Sequence, residues 1–142
     1  MSIETLNPDM PPQPTGYMLL FRGHVWRDDI SENEIRQAIG KVNTWFEGLN
    51  ASGKLVAAQP LLDDAVVISG KGGHSVTDGP FSEAKEVVGG YVLLSVDSME
   101  EAVAIAKTNP MLEYGLTTEV RVTSNSCAHT YEALRRVAAA AA

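Results

Sequence analysis

Gly90-Tyr91-Val92-Leu93-Leu94 echoes Gly16-Tyr17-Met18-Leu19-Leu20, and this repeat decides the fold. Each copy opens on Gly-Tyr and runs into a short apolar stretch, the length and make-up of a buried strand. Outward from each copy lies a serine with a glutamate three residues on: Ser31-Glu32-Asn33-Glu34 and Ser98-Met99-Glu100-Glu101. That spacing is a capping box, in which the serine oxygen takes a free N–H of the first helical turn. After the first box, Ile35, Ala38, Ile39, Val42, Phe46 and Leu49 recur with helical period, Trp45 widens the stripe, and Gly53 ends the helix region. After the second, Met99, Ala102, Val103 and Ala106 give a shorter stripe that stops at Asn109-Pro110.

Strands complete each half. Lys54 to Ala58 predicts a short one stopped by Gln59-Pro60, and Leu116 to Val122 predicts the last. Ala65 to Ser69 and His74 to Thr77 flank Gly70-Lys71-Gly72-Gly73, a hairpin pattern. Two strand-helix-strand halves packed together make an α+β ferredoxin-like sandwich. Residues 1–15 hold four of the seven prolines and little periodicity, so they read as a flexible leader. The domain then spans 16–123, and 124–142 forms a separate tail. Within the tail, Tyr131 to Val137 and the alanines beyond are strongly helix-prone, with Tyr131, Leu134 and Val137 on one face.

The two central strands are apolar on both sides. Tyr17, Leu19 and Phe21 point one way and Met18 and Leu20 the other, and Tyr91 to Val96 behaves alike apart from Ser95. Both helices of such a sandwich lie on one face, so the opposite face needs cover. Leaving it wet forfeits about 1.5–3 kcal/mol per large side chain. A second copy, sheet against sheet, supplies that cover and predicts a homodimer built as a dimeric α+β barrel; the competing cover is the tail helix.

Composition narrows the function classes. The net charge is −7 over 142 residues, and the basic residues are scattered apart from Arg135-Arg136. Nucleic-acid binding needs clustered Lys and Arg, so it is not expected. No apolar run approaches the roughly 20 residues of a membrane span. The start lacks the charged-then-apolar order of a signal peptide, which makes the cytoplasm the expected location. The single cysteine, Cys127, forms no internal disulfide or redox motif and reads as a small, at least partly buried side chain.

Thr77-Asp78-Gly79-Pro80-Phe81-Ser82-Glu83-Ala84-Lys85-Glu86-Val87-Val88-Gly89-Gly90-Tyr91 is the most distinctive motif. Asp-Gly-Pro predicts a sharp bend, Ser82 to Glu86 about one helical turn, and Gly89-Gly90 a break before the next strand. This stretch resembles the signature of the YCII-related superfamily in its DGPF branch. Weaker parts of the resemblance are Tyr17 to Leu20, Trp45, Gly53-Lys54-Leu55, Pro110 and Glu119-Val120-Arg121. The resemblance implies a small bacterial cytoplasmic dimer with the fold just derived. Some relatives in the superfamily are isomerases or dehydrochlorinases with a His-Asp pair. At those two places this sequence has Lys41 or a neighbour, and Asn109. The DGPF branch is often encoded beside extracytoplasmic-function sigma factors, which implies a regulatory protein as a further partner.

Among the chemically conspicuous residues, His24 stands first. It follows the first strand in Arg22-Gly23-His24-Val25-Trp26, where a ring that titrates near neutrality sits beside a cation and an aromatic. His24 is either a ligand contact or general base, or a surface loop residue with Trp26 packed nearby. Glu119 and Arg121 share one strand face: either they line the cleft, with Arg121 holding a ligand carboxylate, or the pair is solvated or bridges subunits. Asp78 caps a turn or faces a cleft. His24, Trp26, Asp78 and Arg121 are therefore the expected ligand-binding set, in a cleft between the sheet and its dimer partner. His74 and His129 are expected to face solvent, Glu83, Lys85 and Glu86 to form an exposed ion cluster, and no metal or cofactor site is expected. Three functions follow: a small-molecule-binding dimer, an isomerase- or dehydrochlorinase-like enzyme with His24 as base, or an accessory module for a transcription regulator.

Overall fold

The computed structural model describes residues 6–79 and 87–141. Its elements run β1 (Pro14–Arg22), α1 (Glu32–Ala51), β2 (Leu55–Pro60), β3 (Val66–Ser69), β4 (Ser75–Asp78), β5 (Val88–Leu94), α2 (Met99–Lys107), β6 (Thr117–Ser124) and α3 (Ala128–Ala141). Short 3-10 turns occupy Lys71–Gly73 and Pro110–Tyr114. Four strands form an antiparallel sheet in the order β2-β5-β1-β6, and β3 and β4 pair as a separate ribbon. The two echoing segments are the central neighbours of the sheet, with Leu19 opposite Val92 and Met18 opposite Leu93. This interleaved order is the ferredoxin-like arrangement read from the two halves.

Both capping boxes form. Ser31 Oγ accepts from the Glu34 amide and Ser98 Oγ from the Glu101 amide, each at 3.1 Å. Each cap satisfies an N–H that the first turn cannot, worth about 1 kcal/mol. From α1, Ala38 and Leu49 are buried, and Trp45 and Phe46 pack against the core. Ile39 falls off that line and is exposed. From α2, Ala102 and Ala106 are buried. The sheet side of the core is Tyr17, Leu19, Val92 and Leu94, with Leu19, Val92 and Leu94 almost wholly enclosed. The Trp45 indole donates to Thr108 Oγ1 at 2.8 Å, which ties α1 to the end of α2.

Two strand boundaries differ from the local reading for tertiary reasons. Pro60 does not stop β2 before it but is its last residue, paired with Gly90. β2 is an edge strand, and there a proline's missing N–H need cost no ladder bond. Gly89 and Gly90 do not break the chain; both lie inside β5. A Cβ at Gly90 would stand 2.9 Å from the Gln59 carbonyl oxygen, so this glycine permits close approach of two backbones. β1 begins at Pro14, two residues before the expected start. The described part of the leader is held against the exit of β6: Asn125 Oδ1 accepts from the Gln13 amide at 2.8 Å, and Ser126 Oγ donates to the Met10 carbonyl at 2.9 Å.

The sheet has one filled face and one open face. Met18, Leu20, Tyr91 and Leu93 on the open side are only half-buried. The tail helix does not provide the cover: α3 has no buried residue, and Leu134 and Val137 are exposed. The bend at Gly79-Pro80, the turn from Ser82 to Glu86 and the expected ion cluster lie outside the described residues.

Candidate functional site

Where the sheet's filled face meets the C-terminal end of β1, the core gives way to a cavity of about 600 Å³, open to solvent on one side. Four parts of the fold build it. The sheet contributes Phe21, Leu55, Ala58 and Pro60, and β5 adds the backbone of Gly89 and Gly90. Helix α1 contributes Val42 and Phe46, two turns and one turn before its buried Leu49. The loop after β1 adds Gly23 and Val25, and the segment after α2 adds Asn109, Met111 and Leu116. Alternation along the strands assigns Gln59 and Tyr91, paired with each other, to the other face, so they border the cavity with their backbone.

The wall is apolar for a structural reason. Its residues continue the stripe of α1 and the inward row of the sheet that make the core a few ångströms away. The cavity lies where the inward row ends in small residues: Ala58 and Gly90 leave space that Leu94 and Val92 fill further along. Among its described residues the lining has no His, Asp, Glu, Lys, Arg or Cys. Asn109 is the exception to apolarity, a buried polar side chain whose Oδ1 accepts from the Met111 amide at 3.0 Å.

The mouth is shaped by the loop after β1. Gly23 has φ 94°, a conformation that strains a residue with a Cβ, and the chain turns there back over the sheet end. Trp26 anchors the loop on Tyr114 with ring centroids 5.4 Å apart and planes inclined by 58°. The loop is thereby held to the turn that carries Met111.

The four residues singled out in the sequence fall in three places. His24 is exposed on the loop, between the cavity-lining Gly23 and Val25. Trp26 stacks on Tyr114 and does not line the cavity. Asp78 is exposed at the end of the β3–β4 ribbon, opposite Val66. Arg121 is exposed on the open face opposite Met18, the far side of the sheet from the cavity. There it approaches Glu119 at 3.4 Å, and Glu119 also accepts from Arg22. Arg22 Nε is buried without a partner, so this cluster carries more donors than Glu119 can satisfy. His74 and His129 are exposed, as expected. Cys127 is also exposed, contrary to the expectation of at least partial burial, and hydrogen bonds from Thr130 at the start of α3 lower its thiol pKa.

Sequence reasoning missed Val42, Phe46, Ala58 and Met111 as site residues. Their signal is that of core residues, and only the assembled fold separates a filled stretch of core from an unfilled one. Lys41 is exposed and does not line the cavity, whereas its neighbour Val42 and Asn109 both do. Among the described residues no group of three His, Cys, Asp or Glu is placed to hold a metal, and no helix is long and apolar enough to cross a membrane.

The fold is an α+β sandwich with an apolar cavity beside its first helix. The chain belongs to the YCII-related domain family, whose pattern matches residues 24–126. Comparison with curated proteins gives no match. Among solved structures, the chain is similar to 5-chloro-2-hydroxyhydroquinone dehydrochlorinase (TftG) from Burkholderia phenoliruptrix AC1100, in complex with 2,5-dihydroxybenzoquinone. The identity is 18%, the match covers 74% of this chain and 90% of that one, and the TM-score is 0.41. At that level the likeness bears on neither substrate nor mechanism.

Proposed function

We propose that this protein is a dimeric binding protein that takes a neutral, largely apolar small molecule in the cavity between α1 and the sheet. One observation carries the reading: a cavity of about 600 Å³ whose described lining holds no charged side chain. That volume suits a one- or two-ring compound. A carboxylate or ammonium group would lose its hydration there without gaining a counter-charge, at a cost of several kcal/mol. Asn109, with its Oδ1 engaged, offers its amide N–H groups to a hydroxyl or carbonyl of the ligand. Ligand recognition thus moves from Arg121 and Asp78 to Asn109 and the hydrocarbon wall, and His24 stays at the rim. The dimer uses the open face: Met18, Leu20, Tyr91 and Leu93 of one copy meet those of the other.

A thermal-shift comparison of neutral ring compounds with their carboxylate analogues tests the reading. A ligand at about 100 times its dissociation constant adds roughly 2.7 kcal/mol, several degrees for a chain of this size. Neutral compounds are expected to raise the melting temperature and their carboxylates not to. Shifts confined to carboxylates and lost in Arg121→Ala would restore the cleft on the other face.

His24 supports a second reading, as the general base of an isomerase- or lyase-type enzyme. The observation behind it is the position of His24 between two cavity-lining residues. A neutral imidazole at the rim would remove a proton from a bound ring carbon and return it elsewhere on the ring, or let a leaving group depart with the electron pair. Turnover that falls at least about a hundredfold in His24→Ala, within the range of general-base catalysis, supports this reading. Turnover unchanged in that variant rejects it.

A further inference from the structure

Among the described residues, two elements each carry an apolar face that is largely exposed. On the β3–β4 ribbon, Val66 and Ile68 share a face with Val76, and they are 58%, 66% and 60% exposed. The opposite face carries Ser69, Ser75 and Thr77 beside Val67, so the ribbon is amphipathic with its apolar side in water. On α3, Leu134 and Val137 are 43% and 68% exposed, in line with Tyr131. Neither element is self-sufficient. A lone two-stranded hairpin is marginal in water, and so is an isolated helix of about 14 residues.

Charge and position match the two. Asp78 stands opposite Val66 on the ribbon's apolar side, Asp63 and Asp64 precede Val66 in the chain, and Arg135 and Arg136 flank the apolar face of α3, all exposed. The ribbon leaves β2 where Pro60 pairs with Gly90, level with the C-terminal end of β1. The tail leaves β6 beyond Ser124, opposite Pro14 at the N-terminal end of β1. β2 and β6 are the two edges of the sheet, so ribbon and tail occupy diagonally opposite corners. A two-fold axis lying between two stacked sheets, along the other diagonal, exchanges these corners. It also sets the two sheets' strands near 90° to one another, one of the two preferred packing angles.

We infer that the apolar face of the β3–β4 ribbon is the docking surface for α3 of a second copy, an exchange made twice in each dimer. The inference rests on the open-face dimer proposed above. Each exchange buries Leu134 and Val137 on Val66, Ile68 and Val76, and brings Arg135 and Arg136 to the aspartates.

Disulfide trapping tests the exchange. In a Cys127→Ser background, chains carrying Ile68→Cys and chains carrying Leu134→Cys, distinguished by tags, are co-expressed and oxidised. The expected product is a covalent dimer containing one chain of each kind, several times more abundant than either like-with-like dimer. A chain carrying both substitutions should link between copies, not within itself. Mixed dimers no more abundant than like-with-like ones, or an intrachain link, overturn the inference. Sedimentation of the unlinked protein separates the two levels of failure: a monomer removes the open-face dimer as well, whereas a dimer without mixed cross-links removes the exchange alone. Leu134→Asp in the full chain gives an independent reading. Hydrogen exchange of the Val67 to Thr77 amides should accelerate by about tenfold or more as the ribbon loses its cover, and an unchanged rate contradicts the exchange.

Discussion

The two faces of the sheet are made from the same strands, residue by residue in alternation, and they have different fates. On one face Leu19, Val92 and Leu94 are enclosed by α1 and α2. On the other, Leu20, Tyr91 and Leu93 are only half-buried. Hydrophobicity therefore does not by itself say which face is the core. The helices decide that, and the helices leave their own face incompletely filled at one end. One face packs against the helices of its own chain and leaves the cavity at one end; the other is the face proposed above to meet a second copy. The charged cluster of Arg22, Glu119 and Arg121 sits at the side of the open face and not in the cavity.

Substitutions on neighbouring residues of one strand should sharpen this contrast. Leu19→Ala is expected to cost about 2–5 kcal/mol of folding stability, the usual loss for a cavity in an enclosed core. Denaturant unfolding should show that loss at every protein concentration. Leu20→Asp should leave a folded chain but weaken the dimer about a hundredfold or more, since a carboxylate would be buried between the sheets without a partner. Sedimentation equilibrium measures it, and a dimer of unchanged strength would end the assignment of the open face.

Smaller effects probe the edges of the comparison. Gly90→Ala drives a Cβ against the Gln59 carbonyl at the point where β5 meets β2, and backbone cannot yield as a side chain does. An overpacking cost of about 1–3 kcal/mol is expected from unfolding curves, together with weaker ligand binding. Ser98→Ala removes the cap of α2 and should cost about 1 kcal/mol. Glu119→Gln should change monomer stability least, by about 0–1 kcal/mol, because its ion pairs are partly solvated. If Glu119→Gln weakens the dimer much more than it weakens the fold, the Arg-Glu-Arg cluster belongs to the interface.

Much of the fold is legible in the sequence because its signals are local. The two capping boxes, the helical stripes and the Gly-rich turn between Val66–Ser69 and Ser75–Asp78 depend on neighbours within a few residues. The misreadings came where a neighbour across the sheet decides. Pro60 is tolerated because β2 is an edge, and Gly90 is required because Gln59 lies beside it; neither fact is written near those residues. The candidate site was harder for a chemical reason. His24, Trp26, Asp78 and Arg121 attract notice because their side chains titrate, charge or stack, whereas the cavity is made of Val42, Phe46, Ala58 and Met111, which look like core. Asn109 drew notice through family resemblance, although its burial at the cavity wall depends on the packing of α1 against the segment after α2.

The central claim is that the cavity on the helix face, and not the open face, holds the ligand. Titration of a neutral fluorescent apolar probe such as N-phenyl-1-naphthylamine tests it most directly, with the native chain, Ala58→Phe and Arg121→Ala compared side by side. Ala58→Phe places a ring in the cavity, and Arg121→Ala removes a cation from the other face. The account predicts saturable binding of one probe per chain, weakened about tenfold or more by Ala58→Phe, as about 1.4 kcal/mol of lost contact would do, and unaltered by Arg121→Ala. Binding that survives Ala58→Phe and falls in Arg121→Ala would contradict it.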